Sequence, residues 1–177
     1  KWNGSSWAET KLTASDGAQG DQFGNGVSIS SDGNTVVSGA GWDDNRSGSI
    51  YIYKWNGSSW AETKLTASDG ASIDLFGYKV SISSDGNTVV SGASADDDNG
   101  ENSGSIYIYK WNGSSWVETK LTASDGAQFD YFGYSVSVSS DGTTVVSGTY
   151  SDDDNGDNSG SIYIYKWNNT LCSFFNI

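Results

Sequence analysis

Two acidic loops carry residue types that could bind a metal ion, over 96–101 (DDDNGE) and 152–157 (DDDNGD). Carboxylate and amide oxygens are the ligands that Ca²⁺ prefers, and alternate side chains of an extended segment point the same way. The alternative is a solvated turn, because Asp, Asn and Gly are ordinary loop residues. The shorter loop over 43–46 carries its own cation and is a weaker candidate. No cofactor other than Ca²⁺ is indicated, and its candidate ligands are Asp96, Asp98, Asn99, Asp152, Asp154 and Asn155.

Five Asn-x-Ser/Thr sequons could accept N-linked glycans if the chain is secreted by a cell that glycosylates. Four of them fall at the same turn in successive units of the sequence, so modification would place glycans at regular intervals. The alternative is that Asn-Gly simply forms the turn. The candidate acceptors are Asn3, Asn45, Asn56, Asn112 and Asn168.

Tryptophan pairs flank these turns, with Trp55 and Trp60 around one and Trp111 and Trp116 around another. Paired across a hairpin, the two indoles would pack on each other and stabilise the outer strands, which is the interpretation we favour. The alternative is a platform on which a sugar ring stacks.

The composition excludes several classes of function. There is no His and only one Cys, Cys172, so a catalytic triad, a His-ligated zinc site and an intrachain disulfide all lack their residues. Nine basic against 22 acidic residues give a net charge of −13, which disfavours nucleic acid as a partner. No apolar run is long enough for a membrane span. Asp125 and Asp130 could act as an acid–base pair on a glycoside, but repeated turn positions account for them, and we expect no enzyme.

An internal repeat organises the chain. The segment KWNGSSW begins at Lys1, Lys54 and Lys110, and a broken copy begins at Lys166, giving spacings of 53, 56 and 56 residues. The first unit is shorter because its acidic loop lacks three residues. Such self-similarity indicates duplication of one structural unit.

Each unit has the pattern of a four-stranded antiparallel meander. Residues 76–82 alternate between two faces, and 88–93 form a second β-prone run after a Ser-Asp-Gly-Asn turn. Residues 104–109 alternate Ile and Tyr, and 116–122 supply the fourth strand. Stacking of such sheets is typical of a β-propeller.

The repeated motifs resemble those of the FG-GAP repeat family, which is known from the propeller of integrin α chains and from secreted or surface proteins of microbes. The FG elements are Phe23-Gly24, Phe76-Gly77 and Phe132-Gly133; the GA(P) elements are Val37–Ala40, Val90–Ala93 and Val146–Thr149, without the proline. The resemblance implies blades whose FG glycines pack closely near the axis. The family's Ca²⁺ loop between the two elements is replaced here by Ser-Asp-Gly-Asn or Ser-Asp-Gly-Thr, so that site is not carried over.

The resemblance and the repeat predict about three blades, either as an open array or as a ring closed with other chains. We expect residues 1–20 to form an outer strand that completes a blade, followed by blades over 21–73, 74–129 and 130–177, the last with an apolar tail. A closed propeller usually needs four to eight blades, so self-association into an oligomer or filament is expected. The tail could complete its own sheet, which we favour slightly, or augment a neighbour. The candidate assembly residues are Trp7, Leu12, Leu171, Cys172, Phe174 and Phe175.

The sequence therefore predicts a noncatalytic structural or adhesion protein of the extracellular space or cell surface. An acidic composition rich in Ser, Thr, Asn and Gly and the lone cysteine fit that location. The alternative is a glycan-binding, lectin-like module whose acidic loops are steadied by Ca²⁺.

Overall fold

Three four-stranded antiparallel sheets make up the fold, as the sequence predicts. The computed structural model describes residues 4–168 and 173–176. Blade 1 consists of β1 (Val27–Ile29), β2 (Thr35–Ala40), β3 (Ser49–Trp55) and β4 (Trp60–Leu65). Blade 2 consists of β5 (Lys79–Ile82), β6 (Thr88–Ala93), β7 (Ser105–Trp111) and β8 (Trp116–Leu121). Blade 3 consists of β9 (Ser135–Val138), β10 (Thr144–Thr149), β11 (Ser161–Asn168) and β12 (Ser173–Asn176).

The strands of each blade follow one another in chain order, and a short turn joins the first two. Between β5 and β6 the amide of Gly86 donates to the carbonyl of Ser83 at 3.0 Å, and Gly86 has a φ of 71°. The Asp85 carboxylate accepts from the Ser83 hydroxyl and the Asn87 amide, at 2.5 and 3.0 Å. The hairpin predicted here is confirmed. Asp-Gly favours a type I′ turn, but φ is positive at Gly86 and not at Asp85 before it, so this turn is of another type.

The short loop of blade 1 contains a single helical turn, α1 (Asp43–Arg46). Asp44, Asn45 and Arg46 have φ values of 47°, 64° and 68°, so three consecutive residues other than glycine lie in the left-handed region. This conformation is costly for residues with a Cβ. With three residues fewer than its counterparts, the loop spans the same pair of strands through this tight turn.

The apolar core lies between neighbouring blades. Val37, Ile50 and Ile52 of blade 1 pack against Phe76 and Tyr107 of blade 2. The equivalent residues of blade 2 pack against blade 3 in the same way, with Ile106 and Ile108 on one side and Phe132 and Tyr163 on the other. Blade 2 therefore buries one face against blade 1 and the other against blade 3.

Glycines set how closely the blades approach. A Cβ added to Gly39 would overlap the carbonyl oxygen of Gly77, and one added to Gly92 would overlap that of Gly133. The glycine of each GA element thus contacts the glycine of the next blade's FG element. This contact gives a steric reason for both motifs, because no larger residue fits at either position.

The two ends of the array differ. β12 pairs antiparallel with β11, so residues 173–176 of the apolar tail are the fourth strand of their own blade. Residues 8–14 belong to no strand, in contrast to the outer strand expected there. Their counterparts in β4 and β8 pair with the strand that precedes them, whereas no blade precedes blade 1 in the described structure. In the part of the chain that the structure describes, no helix has the length and hydropathy needed to cross a membrane.

Candidate functional site

At the outer edge of blade 2, a cluster of aspartates forms ion pairs with Lys120. Lys120 on β8 is the cross-strand partner of Tyr107 on β7. The Lys120 Nζ lies 2.8 Å from Asp69 Oδ2, 2.8 Å from Asp96 Oδ2 and 2.6 Å from Asp98 Oδ2. The Tyr107 hydroxyl donates to Asp69 Oδ1 at 2.7 Å and to Asp96 Oδ2 at 3.1 Å. A loop, a turn and two strands therefore converge on one ammonium group.

Blade 1 repeats this arrangement. The Lys64 Nζ lies 2.7 Å from carboxylate oxygens of both Asp16 and Asp43 and 3.3 Å from Asp44. The Tyr51 hydroxyl donates to Asp16 and Asp43 at 2.8 and 3.0 Å. Because Asp43 is 5% exposed, the lysine neutralises a carboxylate that burial would otherwise destabilise.

Burial and neighbouring groups shift the pKa values of Asp69, Lys120 and Tyr107. Burial acts to raise the pKa of Asp69, but hydrogen bonds from Lys120 and Tyr107 outweigh it and hold that pKa below its ordinary value. Burial acts to lower the pKa of Lys120, and its three carboxylate partners raise it overall. Burial and the adjacent carboxylates raise the pKa of Tyr107. The tyrosine is thus a neutral hydrogen-bond donor at any physiological pH, beside a charged Asp69 and a charged Lys120.

Blade 3 has the carboxylates and the tyrosine of this cluster without a lysine among the described residues. The Tyr163 hydroxyl donates to Asp125 Oδ1 at 2.8 Å and to Asp152 Oδ2 at 2.9 Å. Asp152 is 4% exposed. β12 pairs with β11 only from Tyr165 to Asn168, so no described residue of β12 lies across from Tyr163.

A second repeated contact lies two residues along the same pair of strands. Glu62 on β4 accepts from the Tyr53 hydroxyl at 2.8 Å and from the Ser15 hydroxyl and amide. Glu118 on β8 accepts in the same way from Tyr109 and Ser68. In blade 3 the Tyr165 hydroxyl donates to the Thr122 carbonyl at 3.1 Å. Both fourth-strand side chains, glutamate and lysine, therefore belong to one motif, Trp-x-Glu-Thr-Lys-Leu.

The candidate Ca²⁺ ligands fall into two groups. Asp96 and Asp98 do converge, but on the Lys120 ammonium, and the Asn99 amide nitrogen donates to the Ala123 carbonyl at 3.2 Å. In blade 3, Asp152 Oδ1 accepts from the backbone amide of Asp154 at 3.0 Å, and the Asn155 amide donates to Ser159 Oγ. Over residues 4–168 and 173–176, no three acidic, His or Cys side chains are grouped as metal ligands. Calcium in these loops stays a prediction.

The tryptophan pairs pack as the favoured interpretation predicts. The ring centroids of Trp55 and Trp60 are 5.5 Å apart, as are those of Trp111 and Trp116. The Lys54 Nζ of blade 1 also lies 4.4 Å from the Trp111 ring centroid, a cation–π contact between blades. Stacking of a sugar on these rings is untested.

The sequon asparagines shape their turns. Asn56 Oδ1 accepts from the amides of Ser58 and Ser59, and Asn112 does the same one unit later. Asn45 lies in the left-handed turn of α1, and its side chain donates to Ser72 Oγ at 3.2 Å. Asn168 ends β11, and Asn3 lies outside the described residues. Glycosylation at all five stays a prediction.

Those candidate assembly residues that the structure describes lie at both ends of the array. Trp7 is 78% exposed, and Leu12 packs beside Ala40, Tyr51 and Tyr53. Phe174 is buried against Trp167, with ring centroids 5.0 Å apart, and the backbone of Phe175 pairs with Lys166. Leu171 and Cys172 lie outside the described residues.

An apolar groove of about 710 Å³ lies between the N-terminal segment and blade 1. Leu12, Phe23, Val27, Val36 and Trp60 line it. The groove lies on the outer face of blade 1. The equivalent face of blade 2 packs against blade 1.

Both members of the possible acid–base pair make structural hydrogen bonds, one with β11 and one within a loop. Asp125 accepts from Tyr163, as described above, and Asp130 Oδ2 accepts from the Ala127 amide at 2.6 Å.

The fourth-strand lysines Lys64 and Lys120 were missed as site residues. The signal that could have found them is the cross-strand register of lysine and tyrosine in each unit.

Comparison with known proteins supports the motif analysis. The family model described as "FG-GAP repeat" matches residues 7–53, 60–109 and 116–165. No curated protein matches the chain. Among solved structures, TolB from Acinetobacter baumannii is similar, with 18% identity over 85% of this chain and 31% of that protein and a TM-score of 0.48. An ancestral GH74 enzyme is similar with 13% identity over 86% of this chain and 27% of that protein and a TM-score of 0.36.

The chain thus spans less than a third of either of these solved proteins, and neither likeness bears on its activity. The family model, in contrast, covers most of the sequence, and its three matches coincide with the three repeats. On these motifs and the blades they form, the chain belongs to the FG-GAP repeat family.

Proposed function

We propose that this chain is a noncatalytic structural or adhesion protein of the extracellular space or cell surface, and that it self-associates through its first and last blades. Exposed apolar side chains on the two terminal faces carry the proposal. Val27 and Ile29 on β1 are 67% and 58% exposed, and Ile162 on β11 is 70% exposed. Their internal counterparts Val80, Ile82 and Ile106 are at most 9% exposed.

Exposed apolar surface of this kind favours association. The two faces are unlike each other, so a contact between them is head-to-tail; it closes into a ring where the rotation allows and otherwise extends as a filament. FG-GAP repeats occur in extracellular and surface proteins, which supports the proposed location.

Light scattering and electron microscopy of the native particle test this function, with a parallel sample in EDTA. Oligomers or filaments are the expected result. Their collapse in EDTA would assign a metal to the acidic loops, whereas a monodisperse monomer at all concentrations would contradict self-association.

A glycan-binding module is the second candidate, and the aromatic lining of the groove on blade 1 favours it. Aromatic rings supply the flat apolar surface on which a sugar ring stacks. A glycan array with Trp60→Ala tests this candidate, and Trp116→Ala is its matched control because Trp116 occupies the same position in blade 2, away from the groove. Binding lost in the first variant alone, with folding intact in both, would support the lectin.

A further inference from the structure

The two joints between blades share one construction. In each joint, a fourth strand with the motif Trp-x-Glu-Thr-Lys-Leu completes one blade, and the chain then continues to the FG element of the next blade. β4 does this between blades 1 and 2, and β8 does it between blades 2 and 3. The lysine of each strand enters the acidic cluster of the blade that the strand completes.

A third copy of that motif lies at residues 7–12, just before blade 1. Residues 8–12 belong to no strand, and the side chains of Glu9 and Lys11 are exposed. By the repeat spacing, this segment is the fourth strand of a blade that would precede blade 1. It therefore carries a lysine and a glutamate without the tyrosine–aspartate cluster that they serve in the other units.

Blade 3 has the complementary set. Its cluster of Tyr163, Asp125 and Asp152 lacks a lysine among the described residues, while each of the other two clusters contains one. Asp152 is buried to the same degree as Asp43 and Asp96, whose charges are matched by an ammonium group at 2.7 and 2.8 Å. An unmatched buried carboxylate is costly, so this position favours a cation.

We propose that residues 7–12 of a second copy of this chain pair with β11 in place of β12, with Lys11 entering the cluster of Asp125, Asp152 and Asp154. This inference rests on the proposed self-association and specifies its contact. The register of β3 with β4 sets Lys11 across from Tyr163 and Glu9 across from Tyr165. Glu9 then accepts from the Tyr165 hydroxyl, as Glu62 does from Tyr53.

The blade faces fit the same arrangement. Once the second copy's strand is in place, its blade 1 follows blade 3 as blade 2 follows blade 1. Ile162 then packs against Val27 and Ile29, and Gly148 faces Gly24 of the second copy. A Cβ added to Gly148 would meet only the Ser135 side chain, and one added to Gly24 would meet nothing within 4 Å. At Gly148 and Gly24 there is therefore space for the backbone of a neighbouring blade, which occupies the same space in the two internal joints.

β12 holds the position that the second copy would take. Phe174 packs on Trp167 where β4 and β8 place a tryptophan against a tryptophan. β12 makes four residue pairs with β11 in the described chain, whereas β4 and β8 each make six with their neighbours. It also supplies no lysine, so exchange of β12 for residues 7–12 gains both pairing and charge complementarity.

A charge swap tests the inference on the full chain. Lys11→Asp and Asp125→Lys are each expected to raise the dissociation constant of the assembly at least about tenfold, by analytical ultracentrifugation. An equimolar mixture of the two variants is expected to restore assembly, because every contact between unlike copies again joins opposite charges. Lys79→Asp, with the same change of net charge on β5, is the control and should assemble as the unmodified chain does.

The outcomes separate this inference from the proposed function. If the unmodified chain assembles and Lys11→Asp assembles equally well, the lysine contact is wrong and self-association stands. If the variants fail singly and also fail when mixed, the pairing of these two charges is wrong. If the unmodified chain is a monomer throughout, both proposals are wrong. Circular dichroism of each variant confirms that a loss of assembly is not a loss of fold.

Discussion

At the residue scale, Lys120 is the one ammonium group that the described residues place among the carboxylates of Asp69, Asp96 and Asp98. Replacement by methionine keeps most of the side chain's apolar contacts and removes the charge. Since Asp96 then stays buried without its cation, we expect Lys120→Met to lower the free energy of unfolding by about 2–3 kcal/mol in urea denaturation.

The matched control is Lys11→Met at a protein concentration where the chain is monomeric. Lys11 occupies the same place in the motif, but its side chain is exposed. An equal loss of stability in both variants would contradict the structural role of the cluster.

The charge on Asp74 destabilises the folded state, whereas the charge on Lys120 stabilises it. Burial raises its pKa to about 6, and the nearby carboxylates of Asp96 and Asp97 act in the same direction. A raised pKa in the folded state means that the carboxyl's contribution is complete below pH 3.8 and is lost as the pH rises through 6. We therefore expect Asp74→Asn, whose amide oxygen still accepts from the Ala71 amide, to be more stable than the unmodified chain by about 1–3 kcal/mol at pH 7.5. The gain should vanish below pH 4.

Asp141→Asn is the control of opposite sign. Hydrogen bonds from the Ser139 hydroxyl and the Thr143 amide lower the pKa of Asp141 to about 2. Its contribution is present above pH 3.8 and is lost as the pH falls through 2, so this variant should be less stable at neutral pH and should approach the unmodified chain on acidification. Thermal melts of both variants between pH 2 and 8 check the two signs.

Residue-level features were predictable only where they are local in sequence. The close approach of the FG glycines follows from the repeated motif, and the tryptophan pairs follow from a four-residue turn. The cluster around Lys120 joins residues from four separate segments, and only the register of β7 with β8 reveals it. The same holds for Lys64 and Tyr51.

At the element scale, the turn between the first two strands of blades 2 and 3 also contacts the preceding blade. Gly33 and Gly86 have the same left-handed conformation, with φ values of 68° and 71°. A Cβ on Gly86 would lie 2.8 Å from the Thr35 hydroxyl of blade 1, whereas the nearest atom to one on Gly33 is 4.0 Å away. The two turns therefore differ only in whether another blade precedes them.

We expect Gly33→Ala to cost about 1 kcal/mol of unfolding free energy, the cost of a left-handed alanine. Gly86→Ala should cost about 1–3 kcal/mol more, because its methyl group also crowds Thr35. Denaturant titration of the two variants measures the difference. Equal losses would mean that the turn is not part of the joint between blades.

The strands themselves were well predicted because their period-two pattern and turn residues agree with each other. The N-terminal segment was not, since a strand forms only where an adjacent edge pairs with it. Residues 8–14 have the sequence of β4 without such an edge in a single copy. Strand propensity alone could not distinguish these two situations.

At the scale of the whole molecule, blade 3 ends the array with a face that is open where blade 2 is covered. Gly148 on this face corresponds to Gly92, whose added Cβ would overlap the carbonyl oxygen of Gly133. We expect Gly92→Ala to destabilise the fold strongly, since the backbone of a neighbouring blade must move. Gly148→Ala should leave the melting temperature of the monomer nearly unchanged and weaken assembly. A Gly148→Ala variant that assembles normally would show that this face does not form the contact.

In the proposed exchange of β12 for residues 7–12 of a second copy, the short pairing of β12 with β11 has a kinetic consequence. β12 must dissociate from β11 before residues 7–12 of a second copy can pair there. This dissociation is a first-order step, so its rate does not depend on the concentration of the second copy. The observed rate of assembly should therefore stop rising above a certain protein concentration and depend steeply on temperature, as unfolding steps do. Stopped-flow light scattering over a concentration series would measure this plateau. Monomers brought to an assembling concentration would then stay monomeric for a time that is set by the dissociation rate of β12 and not by diffusion.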